Sequence, residues 1–138
     1  MKTLYSTKAT VTGGRTGNAS LEDSDLKINM VAPGSGEEGN NPEQLFAMGY
    51  AACFDGALAV VKKMEKASFG STTEASVSLL QGDGHDYNLA VKLHIIAEST
   101  DLSADEFQKL VEKANEVCPY SKATHGNIDV EVTSEVKS

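Results

Sequence analysis

At 138 residues the chain has the length of one domain, and residues 1–138 read as a single unit around one sizeable core. Its 40% hydrophobic and 23% charged content excludes a disordered or collagen-like chain. A net charge of −8 repels phosphate backbones and anionic lipid, so no nucleic-acid or membrane partner is expected. No run approaches the roughly 18 consecutive apolar residues of a membrane span. Met1–Ser6 lacks the apolar stretch of a secretory signal, which points to the cytoplasm. With only two cysteines, Cys53 and Cys118, a structural disulfide framework is not expected. Arg15 is the only arginine among twelve basic residues, which raises the question of what a guanidinium does there that lysine cannot.

Residues 3–12 alternate loosely and end at Gly13-Gly14, as a strand ends in a turn. Residues 18–22 suit a short second strand. Residues 25–31 alternate more clearly, with Leu26, Ile28 and Met30 on one face, so the three form an antiparallel meander. A flexible loop over 32–40 follows. Asn41-Pro42-Glu43-Gln44 reads as a helix start, with Asn41 as cap, Pro42 in the first position and Gln44 closing a capping box. From Leu45 to Val61 nearly every residue is apolar or small, so this helix belongs inside, packed on all sides. Gly49 and Gly56 within it mark places where another backbone approaches closely.

Residues 73–81 and 87–98 form a hairpin turning at Gly82-Asp83-Gly84. A second helix opens at Ser103, with Glu106 completing its capping box and Leu102 stapled onto Phe107. Its apolar stripe is Phe107, Leu110, Val111, Ala114, Val117 and Cys118, and Pro119 ends it. A last strand carries Ile128, Val130, Val132 and Val136. Grouped rather than alternating elements indicate an α+β fold with antiparallel sheet. The uniformly apolar helix is hard to cover within one chain, and a dimer that buries it would solve that problem.

Both cysteines face apolar neighbours, so each can serve as a small core hydrophobe. The alternative is a redox pair in which one thiolate is oxidised and the other resolves it as a disulfide. Apolar surroundings raise a thiol pKa, and Cys53 lies about three turns from its helix start, beyond the reach of the dipole. A reactive Cys53 therefore needs a cation, and Arg15 is the candidate. Glu43 either holds that arginine through a bidentate pair or merely complements the helix dipole. His85, His94 and His125 lack ligand spacing, so no metal is expected. Asp55 needs a partner or an exposed edge. The glycine-rich Thr12–Gly17 stretch lacks a phosphate-loop pattern.

Asn41-Pro42-Glu43-Gln44-Leu45-Phe46-Ala47-Met48-Gly49-Tyr50-Ala51-Ala52-Cys53-Phe54 resembles the central-helix motif of the OsmC/Ohr superfamily. Val117-Cys118-Pro119-Tyr120-Ser121 resembles the segment around its second cysteine, and Tyr120 with Thr12-Gly13-Gly14-Arg15 favours the organic hydroperoxide resistance (Ohr) branch. The resemblance implies an intertwined α+β homodimer whose antiparallel sheets pack around buried central helices. It implies a two-cysteine thiol peroxidase that reduces organic, including fatty-acyl, hydroperoxides to alcohols. Cys53 would be the peroxidatic thiolate, Cys118 the resolving thiol, Arg15 its activator and Glu43 the residue that orients Arg15. No bound cofactor is implied. The external reductant would be dihydrolipoamide or a lipoylated protein. Met48 departs from the small residue usual in that motif, and His125 stands where a basic residue is common. The rival readings are an OsmC-branch peroxidase of broader specificity, a non-catalytic redox sensor or apolar-ligand binder, and a protein whose two thiols are inert in the core.

Overall fold

Two reciprocal side-chain caps set where the long helices begin. Gln44 N–H donates to Asn41 Oδ1 and Asn41 N–H to Gln44 Oε1, both at 2.9 Å, so the expected capping box opens α1, Pro42–Met64. Ser103 and Glu106 make the same exchange at the start of α2, Ala104–Val117. The computed structural model describes residues 1–98 and 100–137. They fall into two units, Met1–Leu45 and Phe46–Ser138, with the division in the first turn of α1.

The N-terminal unit is a three-stranded antiparallel meander of β1, Ala9–Thr12, β2, Asn18–Leu21, and β3, Lys27–Asn29. The first strand is shorter than the alternation over 3–12 suggests, because β2 offers only four residues to pair with. The expected turn after Gly13-Gly14 is a single 3-10 turn, Gly14–Thr16. Gly13 holds φ at 84°, which favours glycine, and a Cβ on Gly17 would lie 1.7 Å from the Thr12 carbonyl oxygen. A shallow apolar groove of about 210 Å³ is bounded by Leu21, Leu26, Ile28 and Leu45.

The C-terminal unit places β5, Tyr87–Glu98, between β4, Gly70–Gln81, and β6, Asp129–Val136. The β4–β5 hairpin is antiparallel, but β6 runs parallel to β5, which corrects the expectation of a wholly antiparallel sheet. The connection from β5 to β6 carries α2 and α3 (Pro119–Thr124), and a crossover of that length is what parallel pairing requires. Helix α3 itself was not expected. Pro119 does end α2, but proline also suits the first position of a helix and here it starts one.

Val91, Leu93, Ile95 and Ala97 on one face of β5 meet the buried stripes of α1 and α2. Tyr50, Phe54, Leu58 and Val61 come from α1; Phe107, Val111 and Ala114 come from α2. Lys62 is half-buried rather than solvated: its Nζ donates to the Phe69 carbonyl at 2.9 Å and to Ser71 Oγ at 2.7 Å. The helix closes through left-handed Lys66 (φ 56°), with Ala67 N–H donating to the Lys62 carbonyl, a position where glycine is usual.

Within the chain, α1 is covered on one face only. Met48, Ala52, Gly56, Ala59, Val60 and Met64 are exposed, so the expectation of packing on all sides is not met by a single chain. Gly56 faces open space, and Gly49 faces the Tyr120 ring rather than a backbone. By length and composition α1 would pass for a membrane-crossing helix, contrary to the expectation from apolar runs; a core helix meets the same test. Asn41→Ala removes one half of the α1 capping box, and is expected to lower unfolding free energy by about 1 kcal/mol in chemical denaturation.

Candidate active site

Cys53 and Cys118 are brought together. Cys118 Sγ donates towards Cys53 Sγ at 3.5 Å, and both thiols are free. Cys118 is fully buried at the junction of α2 and α3, whereas Cys53, on α1, is half-buried and keeps access to solvent. The junction geometry follows from sequence. Pro119 cannot continue α2, so the chain turns extended at Cys118 (ψ 119°) and restarts, which aims the Cys118 side chain at α1.

Burial pushes the Cys53 thiol above the ordinary cysteine range. The backbone N–H of Tyr120 pulls in the opposite direction, and the neighbouring Cys118 adds to the rise. The Tyr120 ring lies over Gly49, where a Cβ would sit 3.4 Å from both the ring Cε2 and the hydroxyl oxygen. That ring stacks on Phe46 with centroids 6.1 Å apart and meets Tyr50 edge-on at 5.8 Å. Along α1 Tyr50 stands about one turn and Phe46 about two turns before Cys53, and Tyr120 is two residues past Cys118.

Arg15 and Glu43 are also brought together, in the N-terminal unit. Arg15 Nη1 donates to Glu43 Oε1 and Nη2 to Oε2, each at 2.7 Å, a fork-to-fork pair. Glu43 is therefore a partner of Arg15 and not merely a dipole-complementing charge. The Glu43 side chain is only 14% exposed and that of Arg15 is 49% exposed, so one end of the pair is fixed and the other faces solvent. The bond to Arg15 holds the Glu43 carboxyl below the usual carboxylate range, and the same bond raises the guanidinium.

The weaker candidates are placed as well. Asp55 has both the partner and the exposed edge it needed, accepting from Thr73 Oγ1 at 2.9 Å. His85 is exposed in its turn. His94 lies on the outer sheet face, its Nδ1 2.7 Å from Thr133 Oγ1 and its Nε2 3.0 Å from Glu135 Oε1, a pairing that spacing alone did not signal. Met48 is 59% exposed. Among the described residues no group of three or more histidines, cysteines and carboxylates could hold a metal ion.

Residues 32–133 match the OsmC family, described as OsmC-like protein. The chain belongs to the OsmC-like family. It is 42% identical over 132 residues to the organic hydroperoxide resistance protein OhrB of Bacillus subtilis, covering 94% of this chain and 96% of that one. The crystal structure of OhrB matches with a TM-score of 0.88 at 41% identity, covering 96% of this chain and all of that one. The organic hydroperoxide resistance protein of Xanthomonas axonopodis pv. citri is 44% identical over 138 residues, covering 96% and 95% of the two chains. That of Elizabethkingia anophelis matches structurally with a TM-score of 0.90 at 42% identity, over 99% of this chain and 100% of that one. These likenesses place the chain in the Ohr branch of the family and give it the OsmC/Ohr α+β fold.

The lowered Glu43 carboxyl has a consequence for stability. Its contribution is present above the ordinary carboxylate range near 4.3 and is lost as pH falls through its lower folded value. An NMR titration of Glu43 is expected to show a midpoint below the ordinary range, and Arg15→Gln to move it back up.

Proposed function

We propose that this protein is a thiol peroxidase that reduces organic hydroperoxides to alcohols, with Cys53 as the peroxidatic and Cys118 as the resolving residue. The observation that carries the reading is the 3.5 Å separation of the two free sulfurs, one buried and one accessible. The names of the organic hydroperoxide resistance relatives support the substrate class. In this reading the Cys53 thiolate attacks a peroxide oxygen, the O–O bond breaks, and the alkoxide leaves as the alcohol after taking a proton. Cys53 is left as a sulfenic acid, and condensation with the Cys118 thiol releases water and forms the disulfide. A dithiol then reduces that disulfide; dihydrolipoamide or a lipoylated protein is the proposed donor, and no bound cofactor takes part. The cytoplasm, where thiols are kept reduced, suits such a cycle.

The chemistry has to overcome the burial that raises Cys53. Bringing a thiol from about 8.5 to about 6 takes about 3.4 kcal/mol of differential stabilisation. One guanidinium at ~4 Å supplies about 4 kcal/mol at an effective dielectric near 20, before desolvation. Arg15 is the proposed cation. Its two bonds to Glu43 use two of about five guanidinium donors and leave the others for a peroxide oxygen. Lysine offers no such division of labour.

A homodimer follows as part of the proposal, because the exposed apolar face of α1 is a surface that a second chain would cover. An apolar site also separates substrates. Each buried methylene of an alkyl tail gains about 0.8 kcal/mol, and hydrogen peroxide gains nothing.

Turnover with dihydrolipoamide tests the reading. Cumene hydroperoxide is expected to exceed hydrogen peroxide in kcat/KM by roughly fiftyfold, the worth of about three methylenes. Cys53→Ser should abolish turnover, and Arg15→Lys should lower kcat/KM by roughly a hundredfold with dihydrolipoamide unchanged as donor. Comparable rates with both peroxides would favour the broader OsmC-branch activity. Oxidation of the cysteines without turnover would instead make the protein a redox sensor.

A further inference from the structure

Tyr50 is fully buried, yet its hydroxyl is paired: Ser121 Oγ lies 2.8 Å away and Thr124 Oγ1 3.2 Å. Among the described residues Ser121 and Thr124 are the only buried polar residues beside Tyr50 and Cys118. The three hydroxyls join α1 to α3, the two elements that meet at the sulfur pair. Tyr50 precedes Cys53 by three residues on α1, and Ser121 follows Cys118 by three at the start of α3. Tyr50 and Ser121 therefore each stand about one helical turn along the chain from a cysteine, and Thr124 about one turn further on.

Stability alone does not call for such a cluster. Buried hydroxyls cost free energy unless paired, and replacing both partners by apolar groups of similar shape is often nearly neutral. What a hydrogen bond adds is direction. The other side of the same junction is the packing of Tyr120 on Phe46, Tyr50 and Gly49, and aromatic faces tolerate sliding that a 2.8 Å hydroxyl pair does not.

We infer that the Tyr50 hydroxyl is a positioning group for disulfide formation: through Ser121 and Thr124 it fixes the register of α3 on α1 and so holds Cys118 Sγ against Cys53 Sγ. The inference rests on the two-cysteine reading above and assigns its second step a determinant. In that step the Cys118 sulfur attacks the Cys53 sulfenic sulfur, the new S–S bond forms and the S–OH bond breaks. The hydroxide leaves with the Cys118 proton as water, and no outside electrons are needed. From 3.5 Å the sulfurs must close by about 1.5 Å to reach bonding distance, so a slip of about an ångström between the helices matters. The competing fate is a second peroxide, which converts the sulfenic acid to sulfinic acid and releases another alcohol. Register of α3 thus decides between a reversible and an irreversible product.

The test uses Tyr50→Phe, which deletes only the hydroxyl, and a Ser121→Ala/Thr124→Val double variant, which removes the other side of the same bonds. Each is treated with cumene hydroperoxide at one equivalent and in excess, quenched over time, and read by intact mass beside thermal unfolding. The first oxidation of Cys53 is expected at the wild-type rate in both. Loss of two hydrogens should slow by between roughly tenfold and a hundredfold, and the product carrying two extra oxygens should rise in excess peroxide. Wild-type product partition in either folded variant, even with a lower melting temperature, would overturn the inference and leave the two-cysteine reading intact. A wild-type chain that forms no disulfide would overturn that reading, and the inference with it.

Discussion

The approach of α3 to α1 is the constraint on which the candidate site depends. Two thiols that are 65 residues apart in sequence meet only because α2 stops at Val117 and Pro119 restarts the chain on a new axis. Gly49 faces the Tyr120 ring at this junction, where an added Cβ would meet that side chain at a contact distance of 3.4 Å. The same ring belongs to the residue whose backbone N–H acts on the Cys53 sulfur, so packing and electrostatics at the thiol share one support.

Two side-chain pairs are formed, one of thiols and one of opposite charges. The Cys53 thiol sits in partly buried surroundings that favour its neutral form. The Arg15–Glu43 pair is charged, bidentate and open to solvent at its arginine end. A carboxylate that consumes two N–H donors lessens the net positive potential of the guanidinium. It also fixes the plane in which the remaining donors point. Glycines at 13 and 17 make the tight turn that presents this arginine, where any Cβ at 17 would strike Thr12.

Much of this was legible in the sequence where a local rule applies. Both capping boxes, the hairpin turn and most of the buried stripe of α2 follow from spacing and from residue chemistry within four positions, although Val117, read as part of that stripe, is exposed. The cysteine, arginine and glutamate candidates were legible as residues, and the chain's family from two motifs. The misses are tertiary. The parallel pairing of β6 depends on which edge of β5 is free, and residues 128–136 alternate the same way in either direction. Helix α3 was hidden because proline signals both a stop and a start. The exposed face of α1 has the composition of a core, and no single-chain pattern distinguishes burial by the same chain from burial by another. Tyr50 was invisible as a polar residue, since its partners lie 71 and 74 positions away.

The central claim is that Cys53 and Cys118 act as one redox unit. The most direct measurement is the intact mass of reduced wild type and Cys118→Ser after one equivalent of cumene hydroperoxide. Wild type is predicted to lose two hydrogens rapidly, and Cys118→Ser to gain a single oxygen that maps to Cys53. Unchanged masses in both proteins would contradict the account and leave a family fold whose two neighbouring thiols are inert.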